Sequence, residues 1–124
     1  MDTRSKIVNA DAAPRGCTVV TGAFDVVLVA DARELAEIRV RHPERPLLVV
    51  VLPVADELLP ERGRAELVAA LRMVDYVVTA DDTAPDGLLA ALEPAHLVRL
   101  EAVQRERKRQ LMEHVQRRQR SGPC

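Results

Sequence analysis

Thr18-Val19-Val20-Thr21-Gly22-Ala23-Phe24-Asp25 is the stretch on which the fold turns. Its first four residues are β-branched and unbroken by charge, the pattern of a strand covered on both faces. Gly22 then supplies a turn, and the residues from Val26 to Leu35 carry the chain into a helix. A strand, a glycine and a helix N-terminus together make a natural anion cradle. The first-turn N–H groups have no intrahelical partner, and the helix dipole favours negative charge there.

Working outward, the strand is expected over residues 17–23, with Pro14 and Gly16 marking the turn before it. Residues 1–15 read as an irregular lead-in, with Ile7-Val8 as a short contact. Downstream, Asp31 suits an N-cap or first-turn acid, and Ala32, Leu35, Ala36, Ile38 and Val40 supply the apolar side of a helix ending near His42. Pro43 and Pro46 stop it. Leu47 to Leu52 is a second apolar strand, and residues 54–60 form a connection. Pro60 or Glu61 opens a helix in which Leu67, Val68, Leu71 and Val74 are spaced to bury one face. Asp75 to Thr79 reads as a third strand, residues 80–85 as a turn, and 86–92 as a short helix ended by Pro94. His96 to Leu100 fits either a fourth strand or the start of the last helix. Strand–helix alternation predicts a Rossmann-like open parallel sheet of about four strands with helices on both faces and the first strand near the middle. Ligands in such sheets bind beyond the carboxyl ends of the strands, which makes Thr21 to Asp25 the expected mouth.

The chain divides by charge. Residues 1–98 carry 10 basic and 16 acidic residues, a balance of −6, whereas 99–124 carry 8 basic and 3 acidic, a balance of +5. We therefore read 1–98 as the α/β domain and 99–124 as a basic C-terminal helix and tail. From Glu101 to Arg120 there is no Gly or Pro, and the apolar positions are sparse: Val103, Leu111, Met112 and Val115. A helix with no apolar residue from Gln104 to Gln110 cannot bury a continuous stripe, so it is expected to lie on the surface or reach away. Arg105, Arg107, Lys108, Arg109, Arg117 and Arg118 are its candidate contacts. Their partners could be nucleic-acid phosphates, an acidic protein or the acidic body of a second copy, and a plain solvated helix fits equally.

With 48% hydrophobic residues the chain can bury a core, and with one Phe, one Tyr and no Trp that core must be aliphatic. So few aromatics argue against a base-stacking platform. No run approaches 18 apolar residues and residues 1–15 have no leader-like apolar stretch, so a cytoplasmic protein without membrane contact is expected. Cys17 and Cys124 form no CxxC pair, and Cys17 reads as a small core residue.

Two stretches carry a family resemblance. Thr21-Gly22-Ala23-Phe24-Asp25 followed by Val26-Val27-Leu28 resembles the GxFD opening of the cytidylyltransferase-like nucleotidyltransferases. The stretch from Pro60 to Val78 (PERGRAELVAALRMVDYVV) resembles the RAExxxALRxVDYV segment of the same superfamily, in the form found in the adenylyltransferase domain of ADP-heptose synthase. Lys6-Ile7-Val8 and Leu88 to Val98 extend the likeness to about residues 6–99. The resemblance implies a Rossmann-like fold and transfer of a nucleotidyl group from a nucleoside triphosphate, with Mg²⁺, to a sugar phosphate. It places nucleotide or phosphate contacts at Thr21, Gly22, Ala23, Phe24 and Asp25, with Arg64 near the nucleotide.

The departures fall on the chemistry. Where the family has HxGH, this chain has Leu28-Val29-Ala30-Asp31, so both phosphate-stabilising histidines are missing and a carboxylate faces the polyphosphate position. The ISSTS-like phosphate segment is replaced by the basic helix. Asp25 and Asp31 remain weak catalytic candidates as a paired-carboxylate metal site, and Asp81-Asp82 with Asp86 could hold Mg²⁺ or simply form a solvated turn. His42, His96 and His114 have no metal-ligand spacing, so no metal site is assigned. The sequence thus points to a catalytically degenerate relative acting as a binding or assembly module, with residual nucleotide or phosphate affinity. Two alternatives stay open: an active nucleotidyltransferase with an altered site, and an adaptor working through the basic helix, with a homo-oligomer, a protein or a nucleic acid as partner.

Overall fold

A computed structural model of the chain describes residues 2–25, 29–55, 57–80 and 85–120. After two short 3₁₀ turns, the elements run β1 (Thr18–Gly22), α1 (Val29–Arg41), β2 (Leu47–Val51), α2 (Glu61–Ala69), β3 (Tyr76–Thr79), α3 (Pro85–Leu92), β4 (His96–Arg99) and α4 (Glu101–Arg120). The four strands form one parallel sheet in the order β3-β2-β1-β4. This is the expected Rossmann-like arrangement, with β1 inside the sheet. Its register pairs Thr18 with both Leu47 and His96. The Ile7-Val8 contact is also present, as a bridge from Ile7 to Val77 and a bond from Val8 N to Val77 O of 2.9 Å.

β1, β2 and β3 divide their side chains between two cores, because successive residues point to opposite faces. Val20, Leu47, Val49, Val51 and Val77 pack with Leu35 and Ile38 of α1 and Ala65, Val68 and Ala69 of α2. Val19, Leu48, Val50 and Val78 pack with Leu88, Leu89 and Leu92 of α3. Burial on both sides explains the unbroken apolar runs in β1 and β2. Each fully buried Val or Leu contributes about 1.5–3 kcal/mol. Cys17 is buried, as expected of a core residue, and its thiol donates to Pro14 O at 3.3 Å.

Two expectations need correction. Helix α2 stops at Ala69, well short of Val74, because Leu71 N bonds Val68 O and Val74 N bonds Leu71 O, tightening the chain into turns. Its buried face is Arg64, Ala65, Val68 and Ala69, and Leu67 is exposed. In α1, Val40 is exposed and the buried positions are Asp31, Leu35 and Ile38. A carboxylate takes a core-facing place in the first turn, and its partner comes from elsewhere in the chain.

Candidate ligand mouth, closed by α4

The strand order reverses between β1 and β4, which puts the switch-point crevice at the end of β1. Here the chain turns sharply at Phe24, whose φ of 51° is left-handed and costly for a residue with a side chain. The turn sends the Phe24 ring back into the core beside Leu35 and Leu100. The Phe24 side chain is therefore a packing group. The turn also aligns the N–H groups of Ala23 and Phe24. Both donate to one acceptor, Gln104 Oε1, at 2.9 and 3.2 Å. The amide orientation follows from chemistry, since backbone N–H groups can face only the oxygen.

Helix α4 delivers that oxygen. Leu100 N bonds Thr21 O at 2.8 Å, continuing the strand ladder for one residue, and Gln104 N then bonds Leu100 O at 2.9 Å to begin the helix. Glu101, Gln104 and Lys108 recur at helical spacing and so share a face. Glu101 accepts a short hydrogen bond from the Thr21 hydroxyl, Gln104 takes the two N–H groups, and Lys108 pairs with Asp25. One position before Lys108, Arg107 reaches Asp31 at 2.8 Å and also pairs with Glu34. Gly22 is required by this contact. A Cβ there would lie 2.5 Å from Gln104 Oε1 and 2.7 Å from the Phe24 ring.

Asp25 is almost fully buried, and its carboxylate accepts N–H bonds from Leu58 (2.8 and 2.9 Å) and Leu59 (3.0 Å) as well as from Lys108. Burial pushes its pKa up, but the Lys108 ammonium and the two N–H groups outweigh this and hold it below the ordinary carboxylate value. Asp25 thus ties the turn after β1 to the connection after β2. Arg64 does the same from the other side. Its guanidinium is wholly buried, donating to Leu59 O (3.1 Å), Ala23 O (2.8 Å) and Leu52 O (2.7 Å) and pairing with Glu57 at 3.1 Å. Glu66, on the same helix, pairs with Arg62. With its donors on three backbone carbonyls and Glu57, Arg64 holds these loops together.

Beside α4 remains a cleft of about 690 Å³. Its walls include Leu52, Pro53, Val54, Leu58 and Met112, and Arg105 stands among its lining residues. The anion cradle itself is covered, so this cleft is the space left to a ligand at the mouth.

The rest of α4 differs from the expectation of a free cationic surface. Arg109 pairs with Glu106 and Glu113, and Arg117 approaches Glu113 at 3.9 Å, so these charges are met along the helix itself. Of the six proposed contacts, Arg105 and Arg118 lie exposed, while Arg107 and Lys108 face the mouth. Leu28, Asp81 and Asp82 lie outside the described residues, and Asp86 is exposed in the first turn of α3.

The sequence missed Glu101, Gln104 and Glu57. The usable signal was the Glu101–Gln104–Lys108 spacing of a polar helix face, next to an acidic body that lacked countercharge. The spacing argument also missed His42 and His96, which are 54 positions apart in the chain yet stack with ring centroids 3.8 Å apart. Taken together, the sheet, its reversal point and the covered turn define a Rossmann-like parallel α/β domain with a self-occupied mouth. No protein-family model matches the chain, and no curated protein matches it. Among the described residues no helix is long and apolar enough to cross a membrane.

Proposed function

We propose that this chain is a catalytically degenerate relative of the cytidylyltransferase-like nucleotidyltransferases and acts as a binding or assembly module. The observation that carries the reading is the acceptance of the Ala23 and Phe24 N–H groups by Gln104. A phosphate oxygen would need those donors, and a side chain of the same molecule takes them at no loss of translational entropy. The electrostatics agree. Asp25 and Asp31 would repel a polyphosphate unless a metal bridged them, and both carboxylates are instead neutralised by Lys108 and Arg107. This also weakens the altered-site enzyme reading, which needs Asp25 or Asp31 to hold a metal. An adaptor role through the basic helix would rest on Arg105 and Arg118 and on the exposed apolar residues Val103, Met112 and Val115.

The test is isothermal titration of the whole chain with ATP and with CTP in Mg²⁺, together with a pyrophosphate-release screen over sugar phosphates. The reading expects no turnover and no binding that depends on the Ala23–Phe24 turn. Pyrophosphate release that Asp31→Ala abolishes would establish the enzyme reading instead.

A further inference from the structure

The opposite end of the sheet holds a cluster that the mouth does not involve. Because β1 lies between β2 and β4, Thr18 pairs with Leu47 on one side and His96 on the other. The segment that leaves α1 and enters β2 therefore passes close to the start of β4. His42 sits immediately after α1, with its N–H on Ile38 O at 3.1 Å. Glu44 lies in the turn that follows, and His96 opens β4. One ligand atom from each of these three side chains lies within 4.8 Å of the other two, and His96 Nε2 is 3.8 Å from a Glu44 oxygen.

We propose that His42, Glu44 and His96 form a binding site for a divalent transition-metal ion of the zinc type. Two imidazoles and a carboxylate are a donor set that suits Zn²⁺, leaving a fourth position for water or a partner's ligand. Around a tetrahedral ion with bonds of about 2.0–2.1 Å, ligand atoms stand roughly 3.3 Å apart. The three groups need to close by no more than about an ångström and a half from their present separation. Glu44 is exposed and can swing, while the stacked rings must fan apart slightly. Both histidines spring from fixed backbone, one at a helix end and one in the sheet ladder. The ring of carbonyls at the α1 C-terminus adds a favourable negative potential. The arginine beside Glu44 does not compete for it: Arg45 directs its guanidinium to Gly16 O at 3.4 Å. Among the described residues His96 is the only ion-pair partner of Glu44. His114, on α4, lies outside the cluster and serves as an internal control.

The experiment titrates ZnCl₂ into the full chain by calorimetry and follows Co²⁺ substitution by visible absorption. The expected result is one ion per chain, tetrahedral Co²⁺ bands without thiolate charge-transfer absorption, and a rise in melting temperature on adding Zn²⁺. His42→Ala, His96→Ala and the bulkier His96→Gln should each weaken binding at least about tenfold, with Glu44→Gln also weaker and His114→Ala unchanged. Circular dichroism of each variant establishes that it is folded. Absence of one-to-one binding, equal binding by the His42 and His96 variants, or loss of binding in Cys17→Ser or Cys124→Ser would overturn the proposal.

Discussion

The two ends of the sheet are built from the same strands but treat their polar groups in opposite ways. At the carboxyl end, most donors and acceptors around β1 are met within the chain: Gln104 Oε1 takes two N–H groups, Arg64 serves three carbonyls, and Asp25 and Asp31 have cations, while Gln104 Nε2 is buried without a protein partner. At the amino end, His42, Glu44 and His96 stand together at the surface with only a stacked pair and a long ion pair among them. Burial accounts for the contrast. An unpaired polar group inside costs about 1–3 kcal/mol, which favours a covered mouth that satisfies most of its groups, whereas exposed groups can wait for water or a ligand. In this fold the end where ligands normally bind is the largely self-satisfied one, with Gln104 Nε2 as its exception.

Substitutions at the mouth should therefore cost far more than those at the other end. Arg64→Ala should have the largest effect, about 3–5 kcal/mol in urea denaturation, because it removes a wholly buried side chain that bonds three carbonyls and Glu57. That is a large part of the stability of a domain this size, so the variant should sit near unfolding at 37 °C. Gly22→Ala follows, at about 1–3 kcal/mol, since the new methyl must displace Gln104 or the Phe24 ring. Gln104→Ala should cost about 1–2 kcal/mol and expose the Ala23 and Phe24 amides to solvent exchange. His42→Ala, at the opposite end, should change the midpoint by less than about 0.5 kcal/mol in the absence of metal. Equal losses at His42 and Gln104 would break the comparison.

Acid titration sharpens it further. The folded-state pKa of Asp25 lies below its ordinary value of 3.8, so its ionised form stabilises the fold fully above that pH. The contribution disappears as pH falls through the lower folded value. Asp25→Asn should remove this part of the acid sensitivity, seen as a shallower loss of stability below about pH 4 in denaturation midpoints. The smallest effect is expected from Glu113→Gln, which breaks an exposed pairing with Arg109 and should alter only the fraying of α4, measurable by hydrogen exchange in its last turns.

The alternation of apolar runs with helical segments made the parallel sheet legible, because burial on both faces leaves a plain mark in sequence. The mouth was legible as a place: Thr21 to Asp25 does lie at the strand ends where the order reverses. Its state was not. Gln104 sits in the one part of α4 without an apolar residue, and apolar periodicity has nothing to say about a helix that docks by polar contacts. Arg64 looked like a surface or ligand-facing charge because arginine is rarely buried; only the convergence of Leu52, Leu59 and Ala23 carbonyls explains its position. The His42–His96 pair was invisible for a related reason, since ligand-spacing rules read local separations and this pair is joined by sheet topology.

The central claim is that α4 occupies the anion cradle. Amide hydrogen exchange at Ala23 and Phe24 in the whole chain, followed by NMR, tests it most directly. The account expects both amides to be protected to the level of their neighbours in β1, with no change on adding Mg²⁺ and ATP. Rapid exchange of these two amides in the unliganded chain, or protection that arises only with nucleotide, would contradict it.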